Sequence, residues 1–135
     1  MMRSIFITVL MGGVILSVFS CAIMPTGPLA PGEVRLLRLD TPREGDMRRG
    51  IVFEVNIKFE AEGYPEISRV CFYWSGDGPT CTKIIKVKYG SPGTINVELR
   101  TDSFGSYFLE SYVQYIRNGK TQSTNVVVAH INVIR

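Results

Sequence analysis

The reactive side chains of this 135-residue chain are few: Cys21, Cys71, Cys81, a single histidine, His130, and an acidic cluster made of Glu60, Glu62 and Glu66. Cys71 and Cys81 each stand five residues from Gly76. Folding the chain symmetrically about that glycine sets them opposite one another, where a cross-strand disulfide is geometrically natural. A spacing of ten is not Cys-x-x-Cys, and one imidazole cannot complete a metal site, so the pair is expected to be structural and not redox-active. Glu60, Glu62 and Glu66 straddle Gly63-Tyr64-Pro65. Paired carboxylates serve glycoside hydrolysis or hold calcium, but this spacing fits no ligand loop and reads as a solvated turn. Ser75-Gly76-Asp77-Gly78 carries one carboxylate and no Gly-x-x-x-x-Gly-Lys pattern, so it too is a turn. His130 lies on the strand face opposite Val127, Ala129, Ile131 and Val133. A general base needs a nucleophile and an orienting partner, and the sequence supplies neither. No catalytic residue, metal or cofactor is expected.

The third cysteine is explained by what precedes it. Met1-Met2-Arg3 is followed by an uncharged run, residues 4–19, and then Ser20-Cys21, the charged and apolar regions of a helical export signal. Val18-Phe19-Ser20-Cys21 resembles the lipobox of bacterial lipoproteins: an aliphatic residue three before the cysteine, a small one just before it, and a thiol that takes up lipid, palmitate included. Phe19 is larger than the family's usual residue. A plain cleaved signal peptide would instead leave an odd thiol in an oxidising compartment. A third alternative is an uncleaved anchor, since residues 5–24 carry no charge and about 20 apolar residues span a bilayer. Arg3 orients all three alike, with the remainder of the chain outside. The lipoprotein resemblance implies a bacterial source and a membrane anchor through Cys21. Ala22, in place of the aspartate that retains lipoproteins at the inner membrane, implies the outer membrane of a two-membrane cell.

Residues 1–20 are accordingly read as the signal peptide, 21–32 as the lipidated cysteine with a tether, and 33–135 as one domain. Pro25, Gly27, Pro28, Pro31 and Gly32 give the tether kinks without periodicity or charge. Loss of Arg3 leaves 14 basic residues against 12 acidic ones. That balance gives no support to a nucleic-acid partner.

No segment shows a sustained 3.6-residue apolar repeat, whereas several alternate with period two. Residues 51–61 are the clearest: Ile51, Phe53, Val55, Ile57, Phe59 and Ala61 on one face, with Val52, Glu54, Asn56, Lys58 and Glu60 on the other. Further strands are expected over 34–39, 68–74, 80–89, 95–100, 107–116 and 124–134. Asn118-Gly119 between two of them is a two-residue hairpin signal, because both residues tolerate the positive φ of a type I′ turn. Seven short strands with turn signals between them predict an antiparallel β-sandwich.

Two features resemble immunoglobulin-like domains. Trp74 shares a face with Val70 and Phe72, in the strand where such domains bury an indole. Asp102-Ser103-Phe104-Gly105-Ser106-Tyr107 is similar to the Asp-x-Gly-x-Tyr segment before their sixth strand, with one residue added, which implies that Tyr107 is the corner tyrosine hydrogen-bonded to upstream backbone. Leu109 stands where the second core cysteine would be, so the resemblance is to the fold class and carries no function.

Surfaces remain as candidates. Residues 41–50 form a long connection bearing Arg43, Arg48 and Arg49, read either as a binding loop or as a solvated connector. Val126, Val128 and Ile134 lie on the side of the last strand that carries His130 and Asn132, which is more apolar than a wet face should be. The cover expected for it is this chain's own irregular first strand, ahead of an external partner. Tyr64, Tyr73, Tyr89, Tyr112 and Tyr115 offer aromatic material for glycan or protein contact, or are half-buried strand residues. The expectation is a membrane-anchored, non-catalytic module that binds an envelope protein or glycan, or else an accessory subunit of a larger envelope assembly.

Overall fold

The computed structural model describes residues 26–75 and 78–135, so the leader and Cys21 lie outside the described residues. Among the described residues nine strands run in the order β1 (Val34–Asp40), β2 (Phe53–Ala61), β3 (Glu66–Trp74), β4 (Thr80–Thr82), β5 (Ile84–Lys88), β6 (Gly93–Leu99), β7 (Gly105–Arg117), β8 (Lys120–Ser123) and β9 (Val127–Val133). They form two antiparallel sheets, β1-β2-β6-β5 and β9-β7-β3-β4, with β8 paired to the far end of β7. This is the ABED and CFG order of an immunoglobulin-like sandwich, with β4 added at one edge.

Alternation builds the core. Phe53, Val55, Ile57 and Phe59 from β2 and Ile95, Val97 and Leu99 from β6 meet Val70, Phe72, Leu109, Val113, Val127, Ile131 and Val133 from the opposing sheet, all buried. The close approach at the edge of this core depends on Gly93, which pairs with Phe59. A Cβ at Gly93 would come within 2.5 Å of the Phe59 ring and 2.9 Å of the Lys88 carbonyl oxygen.

The structure refines the expected strands in three places. Residues 80–89 make two strands, not one: β4 pairs with β3, and after Lys83 the chain crosses to the other sheet, where β5 pairs with β6. Residues 124–134 give a shorter strand than expected, which starts only at Val127. The Thr124 hydroxyl accepts the Val113 amide, and the Asn125 side chain both accepts the Leu36 amide (2.9 Å) and donates to the Leu36 carbonyl (3.0 Å), joining β1 to the edge beside β9. Residues 51–52 precede the strand, because the Ile51 amide turns back to the Arg48 carbonyl and leaves both side chains more than half exposed. The Asn118-Gly119 turn has the two positive φ angles expected of it, 53° and 75°.

The Pro/Gly segment is partly tied down. Arg35 is buried, donates to the Gly27 carbonyl (2.8 Å) and pairs with Glu60 (3.2 Å), while Arg117 donates to the Pro31 carbonyl (2.9 Å). The chain therefore enters at the end of the sandwich where β1 begins. The 41–52 connection, the 100–104 turn and the end of β9 lie at the opposite end.

Candidate functional site

The Cys71–Cys81 disulfide is present, its two residues directly paired between β3 and β4 with Cα atoms 3.9 Å apart. Val70 and Phe72 point into the core, so Cys71 points outward, beside its β7 partner Tyr112. It is fully covered there, whereas Cys81 is exposed.

That outward face of the β9-β7-β3-β4 sheet carries Arg69, Glu110, Gln114, His130 and Asn132 together with an exposed apolar patch. Phe108 and Val128 are 58% and 56% exposed, and Val126 next to them is 44% exposed. His130 pairs with Phe108 across the strands, the two rings 5.1 Å apart, and Val128 pairs with Glu110. Tyr73 and Tyr112 continue the face at 5.9 Å. Burial, the neighbouring Tyr73 and a hydrogen bond with it push the Tyr112 hydroxyl above its ordinary pKa, with Arg69 opposing. The expectation that the first strand covers this surface is overturned: β1 belongs to the other sheet and reaches β9 only at its edge, through Asn125. The outer face of the β1-β2-β6-β5 sheet is different in kind. Glu54, Asn56, Lys58, Thr94, Asn96 and Glu98 line it, as a wet face requires.

A second surface sits at the end opposite the Pro/Gly segment. Arg43 is exposed, adjoins a single 3-10 turn (Glu44–Asp46) and pairs loosely with Asp46 (3.8 Å). Arg48 and Arg49 lie farther along, where the chain runs beside the end of β9: Arg48 bridges to Ile134, the Arg49 amide donates to the Ile134 carbonyl (2.8 Å), and the Ile134 amide donates to the Met47 carbonyl (2.9 Å). The guanidinium groups of Arg49 and Arg135 stand 5.5 and 4.7 Å from the centre of the Phe104 ring. Phe104 and Arg135 were not singled out in the sequence. They are 31 residues apart, and only the strand pairing of β7 with β9 brings them together.

Trp74 is half-buried at the same end, its ring edge-on to Phe53 (6.5 Å) and Tyr107 (5.6 Å), and Phe72 fills the centre of the core in its stead. Tyr107 is likewise half-buried. The tyrosine that bonds to upstream backbone is Tyr89, whose hydroxyl donates to the Pro65 carbonyl. Burial, and then the charge of Glu66, raise its pKa. Tyr89 also lies edge-on to Tyr64 and Phe59, forming an open cleft of about 290 Å³ near the tether.

The acidic trio is dispersed: Glu60 binds Arg35, Glu62 is exposed in the turn, and Glu66 faces Tyr89. Among the described residues no three His, Cys, Asp or Glu side chains gather as a metal site, and no helix is long and apolar enough to cross a membrane. The sequence matches no protein-family model and no curated protein.

Proposed function

We propose that this protein is an exported, lipid-anchored binding module of the cell envelope that works by presenting a surface and performs no catalysis. Cys21 would carry the lipid, and the sandwich would stand outside the membrane, in the periplasm or at the cell surface. Gly27 is held to the sandwich by Arg35. The six-residue step from Cys21 to Gly27 spans at most about 20 Å, so the anchor would keep the domain close to the lipid surface with its long axis free to project.

The observation that carries this reading is the contrast between the two outer sheet faces. The first is lined by Glu54, Asn56, Lys58, Thr94, Asn96 and Glu98, with Ile85 exposed on its edge strand; the second groups exposed Phe108, Val126 and Val128 beside Glu110 and His130, around a disulfide and a tyrosine pair. Apolar side chains grouped on a rigid sheet lose most from contact with water, and a protein partner removes that cost. Aliphatic Val126 and Val128, which offer a sugar neither a hydrogen bond nor a stacking face, favour protein over glycan. A stoichiometric partner would make the chain an accessory subunit, and a transient one a recognition module.

Substitution at Val128 tests this. Val128→Lys places an ammonium opposite Glu110, where the sheet tolerates it, yet buries a charge in any apolar interface. The expected result is recovery of an intact, folded domain with partner capture weakened about tenfold or more. Undiminished capture would remove this face from the proposal.

A further inference from the structure

We infer that the tip opposite the tether, where Arg49 and Arg135 flank Phe104 and where Ile51 and Val52 are also exposed, docks onto the phosphate headgroups of an anionic bilayer. Five arginines (43, 48, 49, 100 and 135) and four carboxylates (Asp40, Glu44, Asp46 and Asp102) occupy this end, Asp40 being paired with Arg38 at 3.0 Å. The carboxylates are already engaged: Asp46 with Arg43, Asp102 with Arg100 at 3.3 Å, and Glu44 with the Asn132 amide. Among the described residues no Asp or Glu side chain pairs with Arg48, Arg49 or Arg135, and Arg48 donates to the main-chain oxygen of Arg135, the last residue of the sequence, at 3.1 Å. Two guanidinium groups gathered on one ring repel each other, and an anion placed between them reverses the sign of that interaction. Phosphate suits the planar fork of donors that each presents.

The apolar side chains favour a bilayer over a soluble polyphosphate. Ile51 is 55%, Val52 52% and Phe104 46% exposed, beside the arginines. Free phosphate gives them nothing, whereas a headgroup layer accepts aliphatic and aromatic groups at its acyl boundary while its phosphates meet the arginines. The tip is also rigid enough to present them. The Gly50 amide is bonded to the Thr101 carbonyl at 2.8 Å, which locks the two loops together, and the Met47–Ile134 and Arg49–Ile134 bonds fasten them to β9. This inference is independent of the partner face on the β9-β7-β3-β4 sheet.

The test uses the full chain loaded into nanodiscs of neutral phosphatidylcholine, so that loading reports membrane insertion separately, and mixes them with vesicles of phosphatidylcholine containing about one quarter phosphatidylglycerol. Cosedimentation with the anionic vesicles, absent with pure phosphatidylcholine and lost on raising salt, is expected. Arg49→Gln and Arg135→Gln should each weaken it about fivefold, in line with the usual contribution of one basic residue near an anionic surface. Phe104→Ser should weaken it further, and all three variants should keep the near-ultraviolet signal of Trp74. Equal binding to neutral vesicles, or unchanged binding of the double arginine variant, would overturn the inference. Full competition by inositol hexakisphosphate together with no effect of Phe104→Ser would overturn it as well, by assigning the arginines to free phosphate.

Discussion

Replacing Phe59 by alanine is expected to lower the unfolding free energy by about 3–5 kcal/mol, a large share of what a domain of this size possesses. Phe59 is fully buried, packs edge-on against Tyr89 at 5.7 Å, and occupies the space that the missing side chain of Gly93 leaves open. Neither neighbour can fill the void. Tyr89 is held by its bond to Pro65, and Gly93 has no side chain to offer. Gly93→Ala in the natural protein is expected to cost about 1–3 kcal/mol, because its Cβ would overlap the Phe59 ring and the Lys88 carbonyl. In the Phe59→Ala background the ring overlap disappears and a methyl enters the cavity, so much of that cost should vanish, leaving the Lys88 contact. Urea unfolding of the four proteins gives the coupling directly. Additive losses would mean that the ring does not rest on Gly93.

The second large effect is loss of the disulfide. Cys71→Ser with Cys81→Ser should destabilise the domain by about 3 kcal/mol on the chain-entropy account of a loop this short. The bond lies on the outer face and is not part of the core, so the sandwich should still form in the reduced double variant. What changes is the edge. β4 has three residues and pairs only with β3. Without the cross-link its hydrogen-exchange protection should fall toward that of a loop, while β2, β6 and β7 keep theirs relative to global stability. Uniform loss of protection would show that the disulfide stabilises only through the unfolded chain.

The parts of this architecture that could be read from the sequence are those that obey local rules. Alternation in β2 identified its inward residues from Phe53 to Phe59 because an antiparallel strand with one wet face writes its burial directly into the chain. Asn118-Gly119 and the cysteine pair about Gly76 needed only turn geometry. The sheet change at Lys83 is not legible, since Ile85, Val87 and Tyr89 alternate with Lys86 and Lys88 well enough to extend the preceding strand and pairing is decided by distant β6. The break at Asn125 was hidden for a similar reason: its side chain answers to Leu36, 89 residues away. The tip shows the same limit. Arg48 and Arg49 stood out as loop charges, but Phe104 and Arg135 join them only once β7 and β9 are paired. The outer face is legible as too apolar, but the cover expected for it fails, because β1 belongs to the opposite sheet.

The most direct test of the binding-module account is photo-cross-linking in the native cell, with a benzophenone amino acid at Val128 in one strain and at Asn96, on the polar outer face, in another. The account predicts a discrete adduct with one envelope protein from position 128 and none from position 96. Adducts of equal yield and composition from both positions, or none from either, would contradict it.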